Sequence, residues 1–159
     1  MEIRLFGTLN MKEKIITKCP KRLIHLSEEN HDGEWFKPRI PESIVDFGPD
    51  KEDDTVRRVC FSSSITGAFY AINFHGNWQK LYVHVPENLE AIVKRRKLCK
   101  PTEDQVFDVN YCDEYWVKCK VKMKCIGYIS ASYHMSYLEN RPKVHFKYIE
   151  KYGKGNENT

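Results

Sequence analysis

The sequence predicts an α+β domain built on a single mixed, mostly antiparallel sheet with one central helix. Three observations carry this. Residues 59–72 pass from an apolar strand pattern through three serines into a helical pattern, and 80–86 and 115–123 alternate apolar with polar residues. The length of 159 residues fits one domain, since domains run to roughly 100–200 residues.

The charge balance, 26 − 22 = +4 with a pI near 8.7, falls short of a dedicated nucleic-acid binder, whose pI exceeds about 9. With 41% apolar and 30% charged residues the chain has enough apolar side chain for one core. The longest run free of charged residues, Val59 to Gln79, carries Ser62, Ser63, Ser64, Asn73, His75 and Asn77, too many polar groups for a bilayer. The first residues show no apolar stretch of the signal-peptide kind, which points to a cytoplasmic location and no membrane partner. Cys19, Cys60, Cys99, Cys112, Cys119 and Cys125 form no CxxC pair, so they are expected as free thiols, several of them buried.

Residues 1–20 read as a leader or an edge segment, IRLF being compatible with a strand, and the domain proper as 21–150. RLIHLS alternates as a first strand ending near Ser27, and SEENHDG supplies turn chemistry. Residues 36–54 hold Pro38, Pro41 and Pro49, with six acids against one lysine after Pro41, and read as a long acidic surface loop, either a lid or binding loop or a plain solvated insertion. In RRVCFSSSITGAFYAINFHGN a strand at Val59 and Phe61 feeds a helix at Ile65, Ala68, Phe69 and Ile72. Ser63 or Ser64 caps its start, and Gly76 closes its end. KLYVHVP points Leu81, Val83 and Val85 inward and Tyr82 and His84 outward, and Pro86 stops it. LEAIVKRRKLCK is either a short helix with a basic end or a loop. The clearest strand runs from Tyr115 to Met123, with Tyr115, Val117, Cys119, Val121 and Met123 on one face and lysines on the other. CIGYIS and KVHFKYI continue the β habit, and 151–159 is expected to fray.

Among sites, cysteines separated by six and five residues are too widely spaced for a zinc knuckle, so no metal is expected. The serine triplet lacks the GxSxG frame of a nucleophile elbow. Five cations in KRRKLCK and the lysine face Lys118, Lys120, Lys122 and Lys124 suit a phosphate-bearing or acidic partner, or serve as a solvated, aggregation-resistant face. Tyr111, Tyr115 and Trp116 beside those lysines leave RNA binding as a further reading.

Taken in order, LIHLS, VCFSSSITGAFYAI and KLYVHVPEN resemble the small ADP-ribosyltransferase-like fold. The likeness is to the rifampin ADP-ribosyltransferases and RNA 2′-phosphotransferase-like proteins, and YWVKCKVKMKCIGYI resembles a closing strand. The resemblance covers roughly residues 21–130 and implies a site for NAD or a related nucleotide. His25 matches the histidine that hydrogen-bonds the ribose and amide end, with Ser27 beside it, and Ser62 and Ser64 match the small hydroxyl residues at the helix entry. The stacking tyrosine falls on Cys60, or on Phe61 in a register shifted by one, and Tyr70 lies one helix on. The acid that stabilises the oxocarbenium-like transition state falls near Glu87 and Glu90. Because the chain departs from the pattern at the tyrosine, the resemblance implies a nucleotide pocket and leaves turnover open. The alternative is a non-catalytic interaction protein, such as an inhibitor of phage or mobile-element type, gripping a macromolecule through the lysine face and the acidic loop.

Overall fold

The computed structural model describes residues 12–42, 44, 48–49, 51–72, 79–136 and 141–151. Leader residues 1–11, Gly76 and the tail from 152 lie outside them, as do several positions of the 36–54 loop.

In chain order the elements are β1 (Lys14–Ile15), β2 (His25–Ser27), β3 (Trp35–Phe36), β4 (Val59–Ser62), α1 (Ile65–Ala71), β5 (Gln79–Pro86), α2 (Leu89–Lys94), β6 (Leu98–Lys100), α3 (Val109–Cys112), β7 (Glu114–Val117), β8 (Val121–Ser136) and β9 (Arg141–Lys151). This is an α+β protein, but the expected single sheet is two. A four-stranded sheet has the order β1-β6-β7-β4, and a five-stranded sheet the order β2-β5-β8-β3 with β9 also on β8, every pairing antiparallel. The one expected helix becomes three short ones among the described residues.

The two sheets meet where Ile24, just before β2, exchanges both backbone hydrogen bonds with Ser62 at the end of β4. Alternation around this junction feeds different clusters. Leu23 enters a core with Val59, Phe61, Ile92, Leu98, Val117, Val121 and Met123, whereas Ile24 and Leu26 join Ala68, Phe69, Leu81, Val83 and Ile129 under α1. That leaves His25 on the face opposite Ile24 and Leu26, at the junction of the sheets.

Three local expectations change. The strand expected over Tyr115 to Met123 breaks at Lys118–Lys120, β7 entering one sheet and β8 the other. Trp116, which strict alternation placed outside, is fully buried and carries a third cluster with Cys99, Val106 and Val109. His84 keeps the alternation but is not exposed. It pairs with His25 on the sheet face opposite Leu81 and Val83, and that face is covered as well, with the His31 backbone N–H bonded to its imidazole. The basic segment 89–100 resolves as helix α2, with Ile92 and Val93 buried, followed by strand β6.

Helix α1 begins as the serines suggest. Of the two proposed caps it is Ser64 whose Oγ accepts from the Gly67 N–H, at 3.0 Å. No helix among the described residues is long and apolar enough to cross a membrane.

Candidate functional site

The junction of the sheets opens into a cleft of two adjoining chambers that share His25, Pro41 and Cys60. The first, about 340 Å³, is walled by Phe61, Ser62, Ala68 and Ile72 and holds the carboxylates of Glu52, Asp108 and Glu114. The second, about 570 Å³, is walled by Ser27, His31, Trp35 and Phe36 and holds Lys37, Arg39 and Arg58. Described residues of the 36–54 segment border the cleft, with Pro41, Ile44 and Glu52 in its lining and Arg39 bonded through its backbone to Arg58.

His25 stands between the chambers. Its Nδ1–H donates to the Cys60 carbonyl at 3.2 Å, which fixes the tautomer and leaves Nε2 as the acceptor. Burial, with His84, His31 and Arg39 close by, pushes its pKa down to about 4, so the ring is neutral at physiological pH. Phe36 and Phe61 meet it edge-on, ring centroids 5.5 and 6.0 Å away, and His84, its direct partner across β2 and β5, lies 6.2 Å off. His84 is likewise held below the ordinary histidine range by burial, and its Nε2 accepts the His31 backbone N–H at 2.9 Å. His31 in turn bridges Ser27 Oγ, at 3.0 Å, and the Glu34 carboxylate, at 2.7 Å. The three imidazoles are thereby fixed in place, and among the described residues no group of three His, Cys, Asp or Glu is arranged to hold a metal ion.

On the acidic side, Glu114 lies opposite Ser62 across β4 and β7. Its Oε1 accepts the indole N–H of Trp116 at 2.7 Å, and the Cys60 thiol also bonds to it. Burial nevertheless raises its pKa. Arg58 is the internal counter-charge. Its side chain is fully buried, its Nη1 donates to the Asp53 and Val56 carbonyls at 2.8 and 2.9 Å, and its guanidinium lies 4.1 Å from the Trp116 ring centroid and 3.9 Å from Glu52. Burial and the facing Glu114 drive the Cys60 thiol far above its ordinary range, so it is no nucleophile.

The structure brings His25, Ser27, Phe61 and Ser62 to the cleft. The serine hydroxyls are committed to the fold. Ser62 Oγ donates to the Cys112 carbonyl, Ser63 to Asp113, and Ser64 caps α1, so Ser62 reaches the lining and Ser64 does not. Tyr70 packs on Tyr111, centroids 4.8 Å apart, and lines neither chamber. Glu87 and Glu90 also line neither. Glu87 lies 3.6 Å from Lys122, and Glu90 sits in the first turn of α2. The lysines do not share one strand face. Lys118 pairs with Glu13 in the link after β7, Lys120 is exposed in the same link, and only Lys122 and Lys124 belong to β8.

Sequence reasoning missed Glu114, Glu52 and Asp108: Glu114 reaches the cleft through the pairing of β4 with β7, and Glu52 and Asp108 reach it from a loop and from the start of α3, none of which a local pattern encodes. The burial of Arg58, which calls for carboxylates nearby, is seen only in the structure, since in the sequence it is one of two adjacent arginines before a strand. Comparison with protein-family models, curated proteins and solved structures finds no match.

Proposed function

We propose that the chain is an ADP-ribosyltransferase-like protein whose cleft at His25 binds NAD or a related nucleotide. The observation that carries this is the division of charge across one cleft, with three acidic residues lining one chamber, the exposed cations Lys37 and Arg39 lining the other and a neutral histidine between. NAD has the matching polarity, an anionic diphosphate joined to a ribose that bears a cationic nicotinamide ring. In this reading NAD is the substrate, His25 Nε2 accepts from a ribose hydroxyl, and Phe61 packs against the ring. Glu114, rather than Glu87 or Glu90, faces the positive charge that develops as the glycosidic bond breaks. Its hydrogen bond from Trp116 holds the carboxylate in one orientation.

The test is a nicotinamide-release assay on the purified protein with Glu114→Gln alongside. Glutamine keeps an acceptor for Trp116, so the variant should fold and bind NAD while release falls by at least 100-fold. Release unchanged in the variant overturns the role of Glu114. No stabilisation of the native protein by NAD, ADP-ribose or ATP overturns the nucleotide reading itself.

A second reading, a non-catalytic interaction protein, has one observation behind it. Phe107 and Tyr111 are 49% and 59% exposed at α3, beside Glu103 and Asp104. A partner gripping that face is lost on Phe107→Ser with Tyr111→Ser and is indifferent to His25, whereas a ligand in the cleft behaves the opposite way.

A further inference from the structure

The segment Trp35–Arg39, part of the wall of the larger chamber, carries a pattern to which the reading above assigns no part of the ligand. Trp35, Lys37 and Arg39 are exposed, while Phe36 and Pro38 between them turn inward, so an extended run with period 2 lays an indole, an ammonium and a guanidinium along one side. Pro38 favours this geometry by holding Lys37 extended. Alternate residues of such a run are about 7 Å apart.

The run is held at both ends. Upstream, Gly33 N–H donates to the Met123 carbonyl and Met123 N–H to that of Glu34, both at 2.8 Å, while the Asp32 carboxylate accepts the Cys125 N–H at 2.8 Å. Downstream, Arg39 and Arg58 exchange backbone bonds at 3.1 and 3.0 Å. All three side chains belong to residues lining the larger chamber. Lys37 makes no ion pair among the described residues, and Arg39 has only the exposed Glu42, at 3.8 Å.

We infer that Trp35, Lys37 and Arg39 form a subsite for the nucleoside-diphosphate end of the ligand, the indole stacking on the base and the two cations meeting the phosphates. A large aromatic face held in solvent by a stapled strand is a stacking platform, and neighbouring cations add the attraction that phosphate requires. This rests on the nucleotide reading above and assigns the end of the ligand distant from Glu114.

The probe is ADP, with adenosine and pyrophosphate as its halves, followed by calorimetry and tryptophan fluorescence. Of the three tryptophans Trp116 is fully buried and Trp78 lies outside the described residues, so fluorescence is read in a Trp78→Phe background, where quenching on binding reports chiefly on Trp35. The expected result is saturable ADP binding. Trp35→Ala should weaken ADP and adenosine about tenfold or more and leave pyrophosphate unchanged, with Trp35→Phe restoring most of the loss. Lys37→Ala with Arg39→Ala should weaken ADP and pyrophosphate, spare adenosine and flatten the salt dependence. No saturable ADP binding, or ADP affinity unchanged in both variants, overturns the subsite. The two readings fail separately. If ADP binds as described but no nicotinamide is released from NAD, the transfer chemistry falls and the subsite stands. If NAD turnover depends on Glu114 while both rim variants match the wild type in ADP affinity, the subsite alone falls.

Discussion

The neutral His25 makes a prediction about stability that is independent of any ligand. Its pKa is near 6.5 in an unfolded chain and about 4 in the fold. Above pH 6.5 both states are unprotonated, and the histidine contributes its full share of stability. As pH falls below 6.5 the unfolded chain takes up a proton that the folded chain refuses, and stability drops until the folded ring protonates near pH 4. At 1.36 kcal/mol per unit the loss is about 3 kcal/mol across that window, an upper figure because the ring borders the cleft and solvent there screens it. His84, depressed for the same reason, adds loss in the same direction. The perturbation is His25→Asn, which cannot titrate and whose amide can still donate to the Cys60 carbonyl. Urea unfolding followed by circular dichroism at pH 7.5, 6.5, 5.5 and 4.5 gives the slope. The wild type should lose stability steadily through the window, and the variant should lose less by about 2–3 kcal/mol, retaining the part due to His84. Equal slopes in the two proteins would falsify the burial of a neutral His25.

Other consequences follow from the same packing. A Cβ at position 67 would overlap the Cys112 carbonyl and Ser62 Oγ, so Gly67→Ala should cost about 2–3 kcal/mol or leave the protein unfolded, measured as a lowered urea midpoint. Ser64→Ala removes the cap of α1 and should cost about 1 kcal/mol with the cleft intact, whereas a loss below a few tenths would show the cap to be idle. Burial pushes the Cys99 and Cys112 thiols up to about 11 and 12 and Cys60 higher still, while Cys19 is exposed. A thiol reagent at pH 7.5 should therefore modify Cys19 rapidly, Cys60 in the cleft slowly because its thiol stays protonated, and Cys99 and Cys112 only on unfolding. Labelling of Cys60 as fast as Cys19 in the native protein would contradict the raised pKa of its thiol.

What was legible in the sequence was local. The run Val59 to Ile72 announces its strand, serine cap and helix because each signal lies within one turn of chain, and Ser64 does cap Gly67. His25 was visible as a polar residue inside an apolar alternation. What failed was set by pairing. Tyr115 to Met123 looks like one strand, yet its halves join different sheets because Val59–Ser62 and Trp35–Phe36 claim separate partners. His84 looks exterior by period 2, and it does lie opposite Leu81 and Val83, but the turn carrying His31 covers that face, which no local pattern shows. The carboxylates show the same limit. Glu87 and Glu90 sit where a strand end suggests them, but the acid opposite the helix entry is Glu114, brought there by the register Ser62↔Glu114.

The most direct test is calorimetric titration of NAD and ADP-ribose into the wild type and His25→Asn at pH 7.5, where the histidine is neutral, with circular dichroism confirming that the variant is folded. The account predicts saturable binding to the wild type and affinity at least tenfold weaker in the variant, since the Nε2 acceptor is gone. No binding to the wild type, or equal affinity in the two proteins, would contradict the placement of a nucleotide at the meeting of the two sheets.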